Sequence, residues 1–251
     1  MMRLDRILAN ARIGTRSQVK KIVKAGRVKV NGTVAPSSDI RIDENTAEIE
    51  VDGMPVVYEQ YVYYMLNKPA GYITATEGSV PIVMDLIDEA ARSMFPVGRL
   101  DKDTTGLLLI TNDGPLAHEL LSPKKHVEKE YFVSLAHEVS QEDVRKIAFG
   151  ISYDGEKYKP AVYKKISDTS GSIILKEGKY HEIKMIFKAL GNHVETLKRI
   201  RMKNLILDPS LKEGEYRSLS VAELTDLRSS LQPSAEDSSN EDPEHIPAEN
   251  Q

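Results

Sequence analysis

Apolar residues recur along the first 35 positions with helical and then strand-like spacing. Leu4, Ile7, Leu8 and Ala11 fall at i, i+3, i+4 and i+7, which predicts an amphipathic helix over residues 3–11. Thr15-Arg16-Ser17-Gln18 has the form of a capping box and opens a second helix. Val19, Ile22 and Val23 turn inward on that helix, and Gly26 ends it. The runs Arg27–Val30 and Thr33–Ala35 read as strands meeting at Asn31-Gly32, the strongest short hairpin signal. Arg16, Lys20 and Lys24 step by four along the second helix, on a side apart from the apolar stripe. These elements predict a small α-α-β unit with one basic side.

The pattern changes at Tyr61. Tyr61–Leu66 reads as a strand, stopped by a turn at Asn67-Lys68-Pro69-Ala70-Gly71. Pro81 suits the first position of a helix with Val83, Leu86, Ile87 and Ala90 on one face. A polar loop bounded by glycine covers 95–106, and the apolar run Gly106–Thr111 reads as a buried strand. A short helix follows over Pro115–Ser122, then a strand over Glu130–Ala136. Ser140 caps a helix with Val144, Ile147 and Ala148 inside and Gly150 behind it. Ser172–Lys176 is a strand, and Ile183, Ile186, Phe187 and Leu190 return to helical spacing, closed by Gly191. His193–Met202 and Asn204–Leu207 read as strands. The order shows no regular βαβ alternation and no Gly-rich phosphate loop, so the fold class is α+β. Residues 1–60 form one module with a linker near Val56–Gln60, and 61–230 a larger domain. Residues 231–251, rich in Ser, Pro and acids, bury too little to offset their ordering entropy and are expected to be disordered.

Charge sharpens the picture. The net charge of −4 conceals a basic start, with nine Lys/Arg against one acid in residues 1–32. Residues 229–251 hold six acids and no Lys or Arg, and 176–203 hold eight Lys/Arg against three acids. Two basic islands far apart in sequence suit a polyanion touched at two places, and they equally suit two solvated helix faces. The chain has no Cys, which excludes disulfides, thiolate metal sites and Cys nucleophiles, and its six His are scattered. No metal or cofactor is expected. No run reaches the length of a transmembrane helix, and the amphipathic N-terminus lacks the apolar core of a secretory signal. A cytoplasmic location is expected.

The candidate chemistry lies in Phe95–Gly106, where Arg99, Asp101, Asp103, Thr104 and Thr105 stand between two glycines, just before a buried strand. Asp101 and Asp103 could do no more than cap a turn. An Asp-x-Asp-x-Thr phosphate-transfer site is the rival chemistry. It expects its acids at the tip of a preceding parallel strand, and here the apolar strand follows them.

Two resemblances extend this reading. Residues 2–50, with RLDRILA and TRSQVKKIVKAGRVKVNG, resemble the S4 RNA-binding domain. The seventeen residues GRLDKDTTGLLLITNDG closely resemble the signature loop of pseudouridine synthases, in the group that modifies small-subunit (16S) rRNA and its large-subunit relatives. MLNKPAGY, SPKKHVEKEYFV, the run Lys159–Val162, EGKYHEIKMIFKALGNHV and GEYRSL follow in that family's order. The resemblance implies an S4 module followed by a catalytic domain on a mainly antiparallel mixed sheet.

It also implies roles. Asp101 matches the aspartate that adds covalently to the uridine or its ribose while the glycosidic bond breaks. Tyr131 matches the tyrosine that stacks on the base, and Lys184 the basic residue paired with the aspartate. Arg99 matches the arginine that holds the flipped nucleotide, and Leu197 an apolar wall of the pocket. The resemblance departs at two positions: the family's members usually show Gln where this sequence has Glu182, and a second basic residue where it has Met185. Arg3, Arg16, Lys20, Lys24, Arg27, Lys29, Lys198 and Arg199 are the expected RNA contacts. The expected activity is conversion of one uridine in rRNA, 16S ahead of 23S, by a monomer acting on a ribosomal assembly intermediate. A catalytically silent rRNA-binding assembly factor is the reading from another class.

Overall fold

The computed structural model describes residues 1–229 apart from Arg12, Asn45, Val57, Glu59 and residues 89–93. The expected disorder of 231–251, Ala90 of the expected helix and part of the expected linker lie outside the described residues. Two compact units are present. One is Met1–Ala117 with Thr196–Lys198 and Asp208–Ser218; the other is His118–Glu195 with Arg199–Leu207 and the chain from Leu219.

The first unit opens with β1 (Met2–Arg3), α1 (Leu4–Asn10) and α2 (Arg16–Lys24). Thr15 and Gln18 form the full reciprocal capping box at the start of α2. The hairpin of β2 (Val28–Val30) and β3 (Thr33–Val34) turns at Asn31 and Gly32, with φ of 50° and 76°. Two successive positive φ values are what the tight primed turn needs, and Asn-Gly tolerates them with little strain. β4 (Arg41–Ile42) pairs with β1. β5 (Ile49–Val51) and β6 (Met54–Pro55) complete a four-stranded sheet in the order β3-β2-β5-β6. Leu4, Ile7, Leu8, Val19, Val23, Val28, Ala35 and Ile49 make a core of their own. Full burial of such aliphatic side chains is worth about 1.5–3 kcal/mol each.

The same unit continues into β7 (Tyr63–Lys68), β8 (Phe95–Pro96) and β9 (Thr105–Thr111). β7 and β9 pair antiparallel from Tyr63 opposite Thr111 to Lys68 opposite Gly106, and β8 adds to β9. Two expectations fail here. Asn67 and Lys68 belong to the strand rather than to the turn after it. The Asn67 N–H donates to the Glu215 carbonyl at 3.0 Å, and its side chain donates to the Leu211 carbonyl at 2.7 Å. The expected helix after Pro81 is one 3₁₀ turn, Val83–Leu86. Ile82 is extended there and bridges Ile73, so the helix cannot start at Pro81, and the Asp85 carboxylate accepts from the Ile82 N–H instead.

α3 (Gly114–Leu121) leads to the second unit, made of β10 (Lys129–Leu135), α4 (Gln141–Phe149), β11 (Ile151–Tyr153), β12 (Glu156–Tyr158), β13 (Val162–Ser167), β14 (Ser170–Leu175), α5 (Glu182–Ala189), β15 (Val194–Met202), β16 (Leu205–Ile206) and α6 (Val221–Ser229). Thr196–Lys198 of β15 belong to the first unit, as does β17 (Tyr216–Ser218), which pairs with β7. β13, β14 and β10 form an antiparallel ladder with Tyr131 opposite Ile173. On α5, Ile183, Ile186 and Phe187 are buried as their spacing predicts. On α4 only Ile147 is fully buried, Val144 is half-buried and Ala148 is exposed. The helix is nine residues long and turns a narrower stripe inward than expected. The described elements are α+β, and the strand ladders named above are antiparallel, while the isolated bridge between Ile73 and Ile82 is parallel.

Candidate active site

Asp101 sits in a loop whose main chain is tied down on all sides. Gly98 and Gly106 bound the loop with φ of 78° and 98°, a region where a side chain would strain the backbone. Val97 and Leu100 are buried at its entry, and Thr104 at its exit. The Val97 N–H donates to the Leu109 carbonyl at 2.7 Å. The Thr74 hydroxyl donates to the Leu100 carbonyl at 2.8 Å and accepts from the Leu100 N–H at 3.1 Å. The Asp101 carbonyl accepts from the Thr104 N–H at 3.2 Å, closing a turn around the acid. Asp101 is half-buried, and Arg99 is exposed two residues before it.

The strongest tie is Lys68. Its side chain has no exposed surface, and its Nζ donates to the carbonyls of Pro69 at 3.1 Å, Asp101 at 3.1 Å, Lys102 at 3.3 Å and Thr104 at 2.8 Å. An ammonium taken from water must find replacement oxygens, and these four carbonyls supply them. Burial lowers the Lys68 pKa to about 8, against the opposing pull of Asp103 and Asp101. Sequence reading missed this residue by assigning it to a turn. The signal was present: a lone lysine at the end of an apolar run.

Leu197 lies buried in β15, in the same unit as Arg99 and Asp101. Tyr131 and Lys184 belong to the second unit. Tyr131 is 9% exposed on β10, and Lys184 is half-buried on α5, beside the face formed by Ile183, Ile186 and Phe187. A cluster of buried charge accompanies them. Lys129 on β10 donates to the Val127 carbonyl at 3.1 Å. Burial lowers its pKa, Arg199 lowers it further, and Glu182 opposes. Glu182 is buried at the start of α5, and burial pushes its carboxyl up to about 7. Sequence reading had not linked these residues.

The expected RNA contacts divide. Arg16, Lys20, Lys24 and Lys29 are exposed in the N-terminal module. Arg3 and Arg27 are exposed but occupied by acids: Arg3 Nε donates to Asp5 at 3.1 Å, and Arg27 Nε to Asp52 at 2.8 Å. Lys198 is half-buried. Arg199 departs from expectation. It is 1% exposed, since strand alternation turns it to the same buried face as Leu197, so it offers no surface to an RNA backbone. Among the described residues no group of acids and histidines could hold a metal ion, and no helix is long and apolar enough to cross a membrane.

The chain carries an exposed basic face on α2 and an aspartate-bearing loop tied down by Lys68, and comparison with known proteins gives the class. Residues 62–189 match the family model for RNA pseudouridylate synthase, and residues 2–46 match that of the S4 domain. An uncharacterized RNA pseudouridine synthase of Bacillus subtilis is 47% identical over 231 residues, 89% of this chain and 97% of that protein. The ribosomal small subunit pseudouridine synthase A of Haemophilus influenzae is 39% identical over 90% of this chain and 99% of its own length. Its Escherichia coli counterpart is 36% identical over 90% and 100%. A crystal structure of a pseudouridylate synthase, 38% identical, superposes with a TM-score of 0.65 over 90% of this chain and all of that one. The chain belongs to the RNA pseudouridylate synthase family and carries an S4 domain at its N-terminal end.

Proposed function

We propose that this enzyme converts one uridine of small-subunit (16S) rRNA to pseudouridine, with Asp101 as the nucleophile. The observation that carries the substrate is similarity to the ribosomal small subunit enzymes along 90% of the chain, S4 domain included. The uracil must leave C1′, turn and rejoin through C5, so the site must retain a detached base. Tyr131 supplies an aromatic face, and stacking of this kind contributes about 1–3 kcal/mol per base. Flipping the uridine out of its RNA context costs a few kcal/mol, offset by pocket and backbone contacts. Arg99 holds the phosphate of the flipped nucleotide and Leu197 walls the pocket.

By the family resemblance, Lys184 is the basic residue assigned to support the nucleophilic carboxylate. A pocket closed over a base raises the cost of an ionised carboxylate, and a neighbouring ammonium lowers that cost and aims the group. The carboxylate adds to the nucleoside and is later released, which needs no external oxidant or reductant. Arg16, Lys20, Lys24 and Lys29 neutralise RNA phosphates, with Lys198 nearer the chemistry. On this reading the enzyme meets its rRNA in the cytoplasm, within a ribosomal assembly intermediate.

Pseudouridine mapping of 16S and 23S rRNA from a strain lacking the gene tests the substrate. The expected result is one missing modification in 16S rRNA, restored by the intact gene and not by an Asp101→Asn copy. A lost site in 23S rRNA would reassign the substrate, and unchanged maps of both would leave the enzyme without an rRNA target.

A further inference from the structure

α4 ends on a phenylalanine whose ring stands in solvent. Phe149 is 85% exposed, while Ile147, two residues earlier, is buried. A phenylalanine that joins a core buries about 150–250 Å², so a ring left outside forgoes a large gain. The backbone that carries it is held firmly. The Gly150 N–H donates to the Ile147 carbonyl at 3.2 Å, and the Ala161 N–H donates to the same oxygen at 3.0 Å. Gly150 stands at φ 89°, and a Cβ there would lie 2.8 Å from the Tyr158 carbonyl oxygen. This close approach of α4 to β12 requires glycine and fixes where the helix ends.

Phe149 lines an open groove of about 510 Å³. Glu142, Arg145 and Lys146 line it too, one and two turns before Phe149 on the same side of α4, since positions three, four and seven apart share a helix face. Ile151 of β11 and Leu190, just past α5, add half-buried apolar surface. All of these residues lie within the second unit.

The rim of the groove is positive. Glu142 is the acid among the lining residues, and Lys146 holds it at 2.9 Å. Arg145 adds exposed positive charge. Lys188, near the end of α5, is also exposed, and its Nζ stands 5.8 Å from the centre of the Tyr153 ring on β11. It follows Lys184 by four, so the two share one side of α5, about 6 Å apart along the axis. An exposed aromatic face set among cations suits an unpaired nucleobase with its flanking phosphates. A two-fold dimer built on this face would bring the same cations together, which is unfavourable.

We infer that this groove takes a base of the substrate RNA other than the target uridine, stacked on Phe149, with flanking phosphates on Arg145 and Lys188. The inference rests on the reading of the protein as an rRNA-modifying enzyme. It adds a contact outside the S4 module that favours unpaired RNA, because only an unstacked base offers a free face to an aromatic side chain.

The sequence contains no Trp, so Phe149→Trp makes the groove its own fluorescent reporter. The full-length variant is titrated with 16S rRNA, and tryptophan emission and filter retention are followed together. Emission should be quenched in step with binding, and heparin, a polyanion without bases, should not quench it. Phe149→Leu keeps an apolar side chain and removes the ring. It should weaken rRNA binding about fivefold or more, with the single-turnover rate at saturating RNA unchanged. Arg145→Gln combined with Lys188→Gln should flatten the slope of log affinity against log salt by about 1.4, about 0.7 for each phosphate of a single strand. Saturated binding with unquenched emission would overturn the inference. Parental affinity in Phe149→Leu would overturn it as well and leave the ring to a protein partner. Quenching by heparin equal to that by rRNA would contradict a stacked base. Retention of no 16S rRNA would overturn the substrate reading and the groove with it, whereas binding without quenching removes the groove alone, so the two failures read separately.

Discussion

The Lys68 ammonium lies 3.1 Å from the backbone carbonyl oxygen of Asp101, in a site with no exposed surface. The contact holds the main chain of the candidate nucleophile, and three neighbouring carbonyls share the same cation. Placement of the aspartate is therefore set by the end of β7, far from it in sequence.

Lys68→Met keeps most of the apolar stem and strands four carbonyls. Leaving buried polar groups unsatisfied costs about 1–3 kcal/mol each, so denaturant unfolding should show a loss of at least about 2 kcal/mol. The loop should loosen as well, and displacement of about 1 Å can cost about a hundredfold in rate. Single-turnover kinetics should fall even at temperatures where the variant stays folded. Full activity in a folded variant would mean that the loop holds itself.

The same lysine gives stability a pH dependence. Its folded pKa is about 8 against an ordinary 10.5, so between these values the unfolded chain binds the proton and the folded one does not. Stability should therefore rise with pH across that window, relative to Lys68→Met. A difference that shrinks or stays level would show that the ammonium is better hydrated than its burial implies.

The exposed face of α2 should account for much of the salt dependence of RNA binding. Each phosphate neutralised contributes about 0.7–0.9 to the slope of log affinity against log salt. Replacing Arg16, Lys20 and Lys24 with Gln should flatten that slope by roughly two to three units, with turnover at saturating RNA unchanged. Arg27→Gln should add little, because Asp52 already holds Arg27. An unaltered slope would move the RNA contact to another surface.

Lys184→Met removes the charge and keeps the stem. Turnover should drop by orders of magnitude while RNA affinity holds within about tenfold, about 1.4 kcal/mol. A normal single-turnover rate would make Lys184 a structural helix residue.

The N-terminal module was readable because local signals agreed: the apolar spacing of α1, the capping box of α2 and the Asn-Gly turn each act within a few residues. β9 was equally clear, since six successive residues from Gly106 to Thr111 are buried on both faces. The misses all depend on distant partners. Lys68 reads as a turn residue until the carbonyls of the Asp101 loop close around it. Pro81 reads as a helix start until Ile73 bridges Ile82. Arg199 reads as surface charge until strand alternation sends it inward beside Leu197. Asp101, Tyr131 and Lys184 were legible only through family resemblance, since spacing alone leaves each an ordinary loop, strand or helix residue.

The central claim, that Asp101 carries uridine isomerisation in 16S rRNA, is tested most directly by tritium release. Purified full-length protein is mixed in excess with 16S rRNA labelled at uridine C5, and label released to water is followed through one turnover. The intact protein should release the label of one uridine per rRNA, and Asp101→Asn should release none while binding the RNA within about tenfold of the parent. Substantial release by a clean Asp101→Asn preparation would contradict the assignment.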